Sequence, residues 1–457
     1  MEQLANRHVL IVGGPGYGKT TAEVKELVEE AERGNTAIVC IDPHVDSLAA
    51  GFFAHLCAST HRDRVLYDRL DDVQRVLKWD FLSPSRAASP RERQGENQTR
   101  CQQFAEILLR RRGQESTAST PRIEEWLLAA LNLYIYQRQQ RPLADLRFAF
   151  SFAHATFQSM LDGCGDADTR YKFEQIIDSK QEPYQAAKGI IDRVCESVAF
   201  KVRTEHSGGF NFERHLDNKG ILIVEGGEGG PLSEDAMKTT MGAIIVKTLN
   251  YLRKRKREFP HVTLALDEAT NANLIGEAGH EVKALAELRK YGLGMHILIQ
   301  YLDFPTPRIE RGVMSTCATR RYFCCSELRT ANMLGADLGG SYTTQEAKTR
   351  YYKDGSSWDA PTTVDNPFVD ELRDLPIGTC YVRRGNRNSR ETITPLPDPF
   401  PGYSKRTRAV LIEEQLATIK ERPEYYSPSD DDDEPPPVSD SPTPPNRKPD
   451  DDGPFGI

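Results

Sequence analysis

Gly13-Gly14-Pro15-Gly16-Tyr17-Gly18-Lys19-Thr20 follows a short apolar run at residues 8–12 and precedes a segment with helical spacing that extends to about residue 33. The octapeptide matches the pattern G-x-x-x-x-G-K-[ST], which average composition produces by chance in only about one or two chains per hundred of this length. Its glycines let backbone N–H groups surround phosphate oxygens, and the helix N-terminus adds a positive partial charge. We therefore predict that residues 13–21, including Thr21, bind a nucleotide. A glycine-rich turn that binds nothing is the alternative.

The roles within this loop follow from its chemistry. Lys19 would reach the β- and γ-phosphates of ATP, and the hydroxyl of Thr20 would ligate Mg²⁺. The sequence therefore predicts ATP and Mg²⁺ as cofactors.

The sequence around the loop alternates short apolar runs with helical segments. Runs rich in β-branched, aliphatic or aromatic residues occupy positions 36–41, 220–224, 262–266, 295–299 and 319–323. Helical spacing is found at about 233–257 and in a segment that ends near residue 291. Strands that alternate with helices form a parallel sheet with both faces covered. We predict an α/β fold with a mainly parallel sheet.

The middle of the chain has a different pattern. After Leu82 helical periodicities dominate for about 130 residues, and Pro121 opens a helix whose apolar residues follow one buried stripe. We predict a first half of the nucleotide-binding core at 1–85, a helical insertion at 86–215 and the second half of the core at 216–402. A C-terminal helix at 403–426 and a disordered, acidic, proline-rich tail at 427–457 complete the predicted organisation.

The net charge of −8 is concentrated in the predicted tail. Residues 427–457 contain nine acids and two bases, a net charge of −7, which leaves about −1 for the rest of the chain. A nearly neutral body does not exclude nucleic acid, because a ring can line its pore with Lys and Arg. The basic run 253–257 could contact phosphates or could be a solvated helix C-terminus.

Two features bear on the cellular compartment. No uncharged apolar stretch approaches the roughly 18 residues that span a bilayer, and the first residues lack the basic and apolar regions of a signal peptide. We expect no integral membrane segment and a cytoplasmic location. The nine cysteines form no CxxC pair, so we expect reduced, mostly buried thiols rather than a zinc site.

A second chemical element is the run Leu264-Ala265-Leu266-Asp267-Glu268, an apolar strand that ends in two acids. Asp267 would hold Mg²⁺, directly or through water. Glu268 could orient the attacking water and remove its proton, which is the chemistry of a hydrolytic motor. The alternative is a helix N-cap, because both acids also suit the first turn of a helix that begins at Ala269.

Two further candidates follow this strand. Gln300 ends the next apolar run, a position that brings an amide to the γ-phosphate edge of the sheet. Arg289 precedes that run and could neutralise charge on the ATP of a neighbouring subunit, a contribution worth about 10³ to 10⁵ in rate in other NTPases. A cation that caps a helix C-terminus is an equal alternative for Arg289. Arg320 and Arg321 are competing candidates for the trans role.

Together these motifs resemble the FtsK/HerA superfamily of hexameric DNA translocases, and especially the conjugative coupling ATPases of TraD/TraG type. The resemblance covers residues 7–46 and 218–325, about a third of the chain. It rests on the phosphate loop, on Asp42-Pro43-His44-Val45-Asp46, which is similar to the family's DPHGD, on Leu266-Asp267-Glu268, and on residues 287–294 leading to Gln300. Val45 replaces the family's glycine, and no stretch is similar to the transmembrane helices that tether coupling proteins.

The resemblance implies a RecA-like P-loop NTPase interrupted by an all-α insertion subdomain that contacts DNA. It implies Lys19 and Thr20 on nucleotide and Mg²⁺, Asp267 and Glu268 as the paired acids, Gln300 as sensor and Arg289 as a finger that acts in trans. The expected activity is ATP hydrolysis coupled to DNA translocation by a homo-oligomer, a hexamer in this family, involved in conjugation through type IV secretion. Such a protein is cytoplasmic or peripheral at a membrane complex.

Three other functions remain open from the sequence. One is a HerA-like resection or defence motor that works with a nuclease. Another is an ATP-gated scaffold that recruits a protein partner through the acidic C-terminal tail, for which a solubilising role is the alternative. The third is a protein-remodelling ATPase.

Overall fold

The computed structural model describes residues 8–414 apart from short gaps, which are 46, 58, 60, 111–120, 178–183, 206–209, 228–229, 256–259, 271–273, 276–279, 340–342, 345–348, 352–356, 360–363, 405–406 and 408–409. The β-strands are β1 (Val9–Val12), β2 (Thr36–Asp42), β3 (Val65–Arg69), β4 (Ile221–Glu225), β5 (His261–Leu266), β6 (Leu293–Ile299), β7 (Thr319–Tyr322), β8 (Thr343–Thr344), β9 (Thr349–Tyr351), β10 (Ser357–Asp359), β11 (Val364–Asp365), β12 (Thr379–Arg384) and β13 (Arg387–Thr392). The α-helices are α1 (Lys19–Arg33), α2 (Leu48–Cys57), α3 (Pro90–Leu109), α4 (Pro121–Ile135), α5 (Ala155–Gly163), α6 (Ala167–Ile177), α7 (Gln185–Cys195), α8 (Val198–Thr204), α9 (Phe212–Asp217), α10 (Glu234–Arg255), α11 (His280–Leu288), α12 (Pro307–Thr316), α13 (Leu328–Asp337) and α14 (Pro367–Arg373).

Nine strands form one sheet in the order β13-β12-β7-β1-β6-β5-β2-β4-β3. The seven strands from β7 to β3 are parallel, whereas β12 runs antiparallel to β7 and forms a hairpin with β13 at the edge. Two small antiparallel pairs, β8 with β11 and β9 with β10, lie outside this sheet. The predicted α/β class with a mainly parallel sheet is confirmed.

Burial explains why the central strands read as continuous apolar runs. Every residue of β1, β2, β4, β5 and β6 is buried, as expected for parallel strands covered on both faces. The helix that follows the phosphate loop, α1, ends at Arg33 and is capped by Gly34, whose φ of 68° is the left-handed conformation that closes many helices. The sheet therefore brings the C-terminal ends of seven parallel strands to one edge, where ligands bind in open α/β folds.

The helical segment from α3 to α9 lies in the chain between two adjacent strands, β3 and β4. An aromatic cluster packs its interior, with Phe150 stacked on Tyr184 at 5.0 Å and tilted against Phe173 at 5.9 Å between ring centroids. A fully buried ion pair attaches this segment to the sheet, because Arg203 of α8 lies 3.0 Å from Asp68 of β3. The indole N–H of Trp79 donates to the same carboxylate at 3.0 Å.

The C-terminal part of the chain is described as far as residue 414, and residues 410–414 are helical. Glu413 forms ion pairs with Arg69 and Arg75 beside the end of β3. Most of the predicted helix 403–426 and all of the predicted tail 427–457 lie outside the described residues.

Two further observations concern the helices and the cysteines. Among the helices of the described ranges, none is long and apolar enough to cross a membrane. All nine cysteine thiols are free; eight are buried and Cys57 is half-buried.

Candidate nucleotide-binding site

The glycine-rich loop joins β1 to α1 and is held from two sides. The N–H of Gly13 donates to the carbonyl of Ile299 at 3.3 Å, and the N–H of Gly14 donates to the carbonyl of Cys324 at 2.7 Å. A Cβ atom on Gly13 would lie 2.5 Å from the Cβ of Phe323, so no larger residue fits without movement. Gly18 has a φ of 103°, which favours glycine. The backbone thus forms a fixed loop at the N-terminus of α1.

Lys19 is buried at the start of α1, with 7% of its surface exposed, and its Nζ donates to the carbonyl of Gly14 at 3.0 Å. Burial lowers the pKa of the ammonium group, and the nearby carboxylates of Glu268 and Asp267 oppose that shift. The ammonium group of Lys19 therefore lies against the loop, where it can contact phosphate oxygens. Thr20 is half-buried and Thr21 is exposed.

The two acids at the end of β5 lie beside this lysine. Asp267 and Glu268 are buried, and the N–H of Glu268 donates to Oδ1 of Asp267 at 3.0 Å. Burial and the charge of Glu268 raise the pKa of Asp267 to about 6. Residues 267–270 are turns rather than the first turn of an α-helix, so the structure does not support the helix-cap alternative.

The backbone of Glu268 adopts an unusual conformation. Its φ is 46°, and among the described residues only Lys219 shares a positive φ without being glycine. A non-glycine residue in this region costs about 1–2 kcal/mol, a strain found often at functional sites. The carboxylate accepts a hydrogen bond of 2.6 Å from the side-chain amide of Gln300. Since β6 lies between β1 and β5, Gln300 stands between the phosphate loop and the acids.

A loop after β2 supports Asp267 from the other side. Both oxygens of Asp42 accept backbone N–H bonds of 2.9 Å, from His44 and Ala49, and these bonds hold both residues at the end of β2. The hydroxyl of Ser47 in that loop is 3.5 Å from Oδ2 of Asp267. Burial and the charge of Asp267 raise the pKa of Asp42 to about 7. The loop therefore places a hydroxyl against the acid expected to hold the metal.

The chemistry of these side chains fits Mg²⁺. Magnesium prefers oxygen ligands and is usually held by one or two protein oxygens together with phosphate and water. Asp267 and Thr20 offer a carboxylate and a hydroxyl at the loop. Within the part of the chain that the structure describes, no group of three or more His, Cys, Asp or Glu side chains could hold a metal alone. The arrangement thus suits a metal that arrives with a nucleotide.

The three arginine candidates differ in their surroundings. Arg320 forms an ion pair of 2.8 Å with Asp337, and Arg321 pairs with Glu26 of α1. Arg289 is exposed in a 3₁₀ turn, Arg289–Tyr291, directly before β6. The seven residues of β6 separate it from Gln300, a distance of about 20 Å at about 3.3 Å per residue. Arg289 therefore cannot reach the phosphates bound by its own chain.

Comparison with known proteins gives structural matches alone: no family model and no curated protein sequence matches the chain. The bacterial conjugative coupling protein TrwBdeltaN70, in an unbound form, matches with a TM-score of 0.58, 18% identity and 87% of each chain covered. TrwB in complex with the non-hydrolysable ATP analogue ADPNP matches with a TM-score of 0.59 and 17% identity, covering 86% of this chain and 87% of that one. This chain has the fold of TrwB.

A second protein shares the TrwB fold at a lower level of similarity. VirB4 of Thermoanaerobacter pseudethanolicus matches with a TM-score of 0.51 and 13% identity, covering 85% of this chain and 90% of that chain. The resemblance to coupling ATPases of FtsK/HerA type, based on about a third of the sequence, thus extends to the fold of most of the chain.

Within this TrwB-like fold, the structure brings together the phosphate loop, Lys19, Asp267, Glu268 and Gln300, and it places Arg289 at the opposite edge. Sequence analysis quoted Asp42 within the segment similar to DPHGD but assigned it no role in the site, and it missed Ser47. Their signal was available, because the segment 42–47 directly follows a buried strand and carries four polar side chains.

Proposed function

We propose that this chain is a Mg²⁺-dependent ATPase that translocates DNA, acts as a homohexameric ring of FtsK/HerA type, and serves DNA transfer in the manner of a conjugative coupling protein. The observation that carries the proposal is the hydrogen bond from Gln300 to Glu268. It holds the buried carboxylate of Glu268 by a residue that lies between the phosphate loop and the acids, and a general base for water is needed on this side of the loop. Binding alone would not require this strained acid.

Bound Mg²⁺ would supply charge neutralisation for the γ-phosphoryl group of ATP. Lys19 and the backbone N–H groups of residues 16–18 bind the phosphates, and Asp267 and Thr20 provide oxygens for the metal. Glu268 orients a water molecule and accepts its proton on a carboxylate oxygen. Gln300 keeps that carboxylate in place and links its position to β6. Solved TrwB structures include complexes with ADPNP and with ADP and Mg²⁺, which supports these cofactors here.

The placement of Arg289 supports a ring. Because this arginine is about 20 Å from the nucleotide edge of its own sheet, a catalytic role for it would have to be at a nucleotide bound by another copy. A head-to-tail arrangement of copies provides that contact and closes into a ring when the rotation between copies allows. A cation at the C-terminus of α11 is the alternative role for Arg289.

The first experiment measures ATP turnover by the purified chain with no polymer, single-stranded DNA, duplex DNA or unfolded protein. We expect stimulation by DNA and its loss in Glu268→Gln, whereas Glu174→Gln on the exposed face of α6 serves as the matched control and should behave as wild type. An ATP turnover rate that does not change with DNA would refute the proposal of a DNA translocase. Stimulation by unfolded protein would then indicate a remodelling ATPase, and little turnover under any condition would indicate a scaffold.

The second experiment tests the trans role of Arg289. Arg289→Ala should reduce turnover by about 10³-fold or more without loss of ATP binding, and Lys290→Ala is the matched control. Mixing inactive Arg289→Ala with inactive Glu268→Gln should restore turnover, because one variant then completes the site of the other. No recovery in rings shown to be mixed would contradict the assignment.

A further inference from the structure

Ile377 is the most exposed large hydrophobic side chain of the described residues, with 75% of its surface accessible. It lies in the turn between α14 and β12, where the N–H of Thr379 donates to the carbonyl of Pro376 at 3.0 Å. The φ of Gly378 is 77°, so the turn has the geometry of type II with Ile377 at its second position. That position tolerates most residues, and the turn itself gives no reason for an apolar side chain.

The turn is bonded directly to the phosphate loop. The N–H of Gly378 donates to the carbonyl of Tyr17 at 3.0 Å, and a Cβ on Gly18 would come within 3.2 Å of the Cα of Gly378. The carbonyl of Gly378 accepts from the N–H of Ile393 at 2.7 Å, which fixes the turn from behind. Ile377 therefore stands one residue from the loop on a rigid support.

The order of the strands gives the direction in which a bound nucleotide extends. β1, which leads into the loop, has β6 and β5 on one side and β7 and β12 on the other. Gln300 and the acids Asp267 and Glu268, which act at the γ-phosphate, lie on the β6 and β5 side. The nucleoside end of the same molecule therefore extends toward β7 and β12, the side on which Ile377 projects into solvent.

We propose that Ile377 is a binding platform for the base of the nucleotide, and that its side chain packs against the flat face of a purine. The inference rests on the proposed ATPase function and adds a subsite for the nucleoside. An aliphatic side chain contacts the face of a base without hydrogen-bonding to its edge, so the contact adds affinity for adenine and guanine nucleotides alike.

Isolated exposed hydrophobic residues are common on protein surfaces, so exposure by itself identifies no site. Val198, which is 49% exposed at the start of α8 in the helical segment, is an example of an isolated apolar residue. Ile377 differs because its neighbour is hydrogen-bonded to the phosphate loop. Val198 consequently offers a matched control.

The experiment compares ATP with tripolyphosphate, which has the phosphates but no base. Binding of each to the full-length chain is measured by calorimetry with Mg²⁺ in a Glu268→Gln background that prevents hydrolysis. Ile377→Ser should weaken ATP binding about fivefold to tenfold, because part of an isoleucine side chain no longer packs on the base. Binding of tripolyphosphate should not change, and neither Ile377→Leu nor Val198→Ser should alter the affinity for ATP.

Two results would refute the proposed contact between Ile377 and the base without refuting the proposed ATPase function. Unchanged ATP affinity in Ile377→Ser would show that the side chain does not touch the nucleotide, and an equal loss for ATP and tripolyphosphate would show that it only supports the loop. If the parent protein bound neither ligand, the proposed ATPase function would fail first and the subsite with it.

Discussion

Removal of the Gln300 amide tests whether the carboxylate of Glu268 has to be held for turnover. The amide donates a hydrogen bond of 2.6 Å to a buried acid. A hydrogen bond to a charged group contributes about 1.5–3 kcal/mol. If that energy is needed in the transition state, Gln300→Ala should lower kcat by about 10- to 150-fold. Affinity for ATP should change much less, since the loop and Lys19 remain intact.

The assay is steady-state ATP turnover under DNA-stimulated conditions, with nucleotide binding measured in parallel. Gln300→Glu should be at least as impaired, because it places a second negative charge beside Glu268. Gln158→Ala is the matched control, as its amide donates to the carbonyl of Phe152 on the exposed surface of the helical segment. A kcat for Gln300→Ala within about twofold of wild type would refute the argument that this bond positions the base.

Three further predictions concern stability. Burial alone would lower the pKa of His296, but Glu23 at 2.7 Å, with Glu26 and Glu30, raises it to about 9. The stabilisation of the folded protein by protonated His296 is therefore complete below about pH 6.5 and is lost as the pH rises through 9. The loss amounts to about 1.4 kcal/mol per pH unit. Thermal unfolding should show this pH dependence, which should vanish in the double variant Glu23→Gln with His296→Gln. Arg203→Met leaves Asp68 buried without its cation and should lower the free energy of urea unfolding by about 3–5 kcal/mol. The control Arg193→Met breaks the exposed pair with Asp235 and should lower it by less than about 1 kcal/mol. Gly13→Ala should destabilise by about 1–3 kcal/mol because of the contact with Phe323, while Gly95→Ala, with open space around it in α3, should stabilise by about 0.5–1 kcal/mol in the same measurement.

The strands and helices that could be predicted are those whose apolar residues follow a regular pattern along the sequence. The apolar runs at 36–41 and 262–266 became β2 and β5 with at most one residue added at an end, and the stripe after Pro121 became α4. Continuous burial leaves a continuous apolar signal in a strand, and a half-buried helix leaves a signal every three or four residues.

Other elements were not predicted because their signal is weak or not local. β13 is the edge strand, almost fully exposed, and its sequence Arg387–Thr392 has no apolar face. β3 is short and ends in Asp68 and Arg69, charges that depend on Arg203 and Glu413 much later in the chain. Edge strands commonly carry charge, which hides them from a search for apolar runs.

The site shows the same division. The loop at 13–20 and the acids 267–268 were predicted from local patterns. The strand order that places Gln300 between them was not predicted, because it depends on contacts between distant segments. Ser47 reaches the site through its side-chain hydroxyl and Gly378 through its backbone N–H, and no spacing rule predicts either contact.

The strand that carries the phosphate loop pairs with segments that lie almost 300 residues or more later in the sequence, since Val9 lies opposite His296 in β6 and opposite Thr319 in β7. During translation, β1 emerges from the ribosome long before either neighbour exists. At about 5–20 residues per second, the wait for β6 lasts about 15–60 s. A nascent or truncated chain that stops before β6 consequently has the nucleotide motif without the nucleotide site, and ATP cannot assist folding until about two-thirds of the chain has been synthesised.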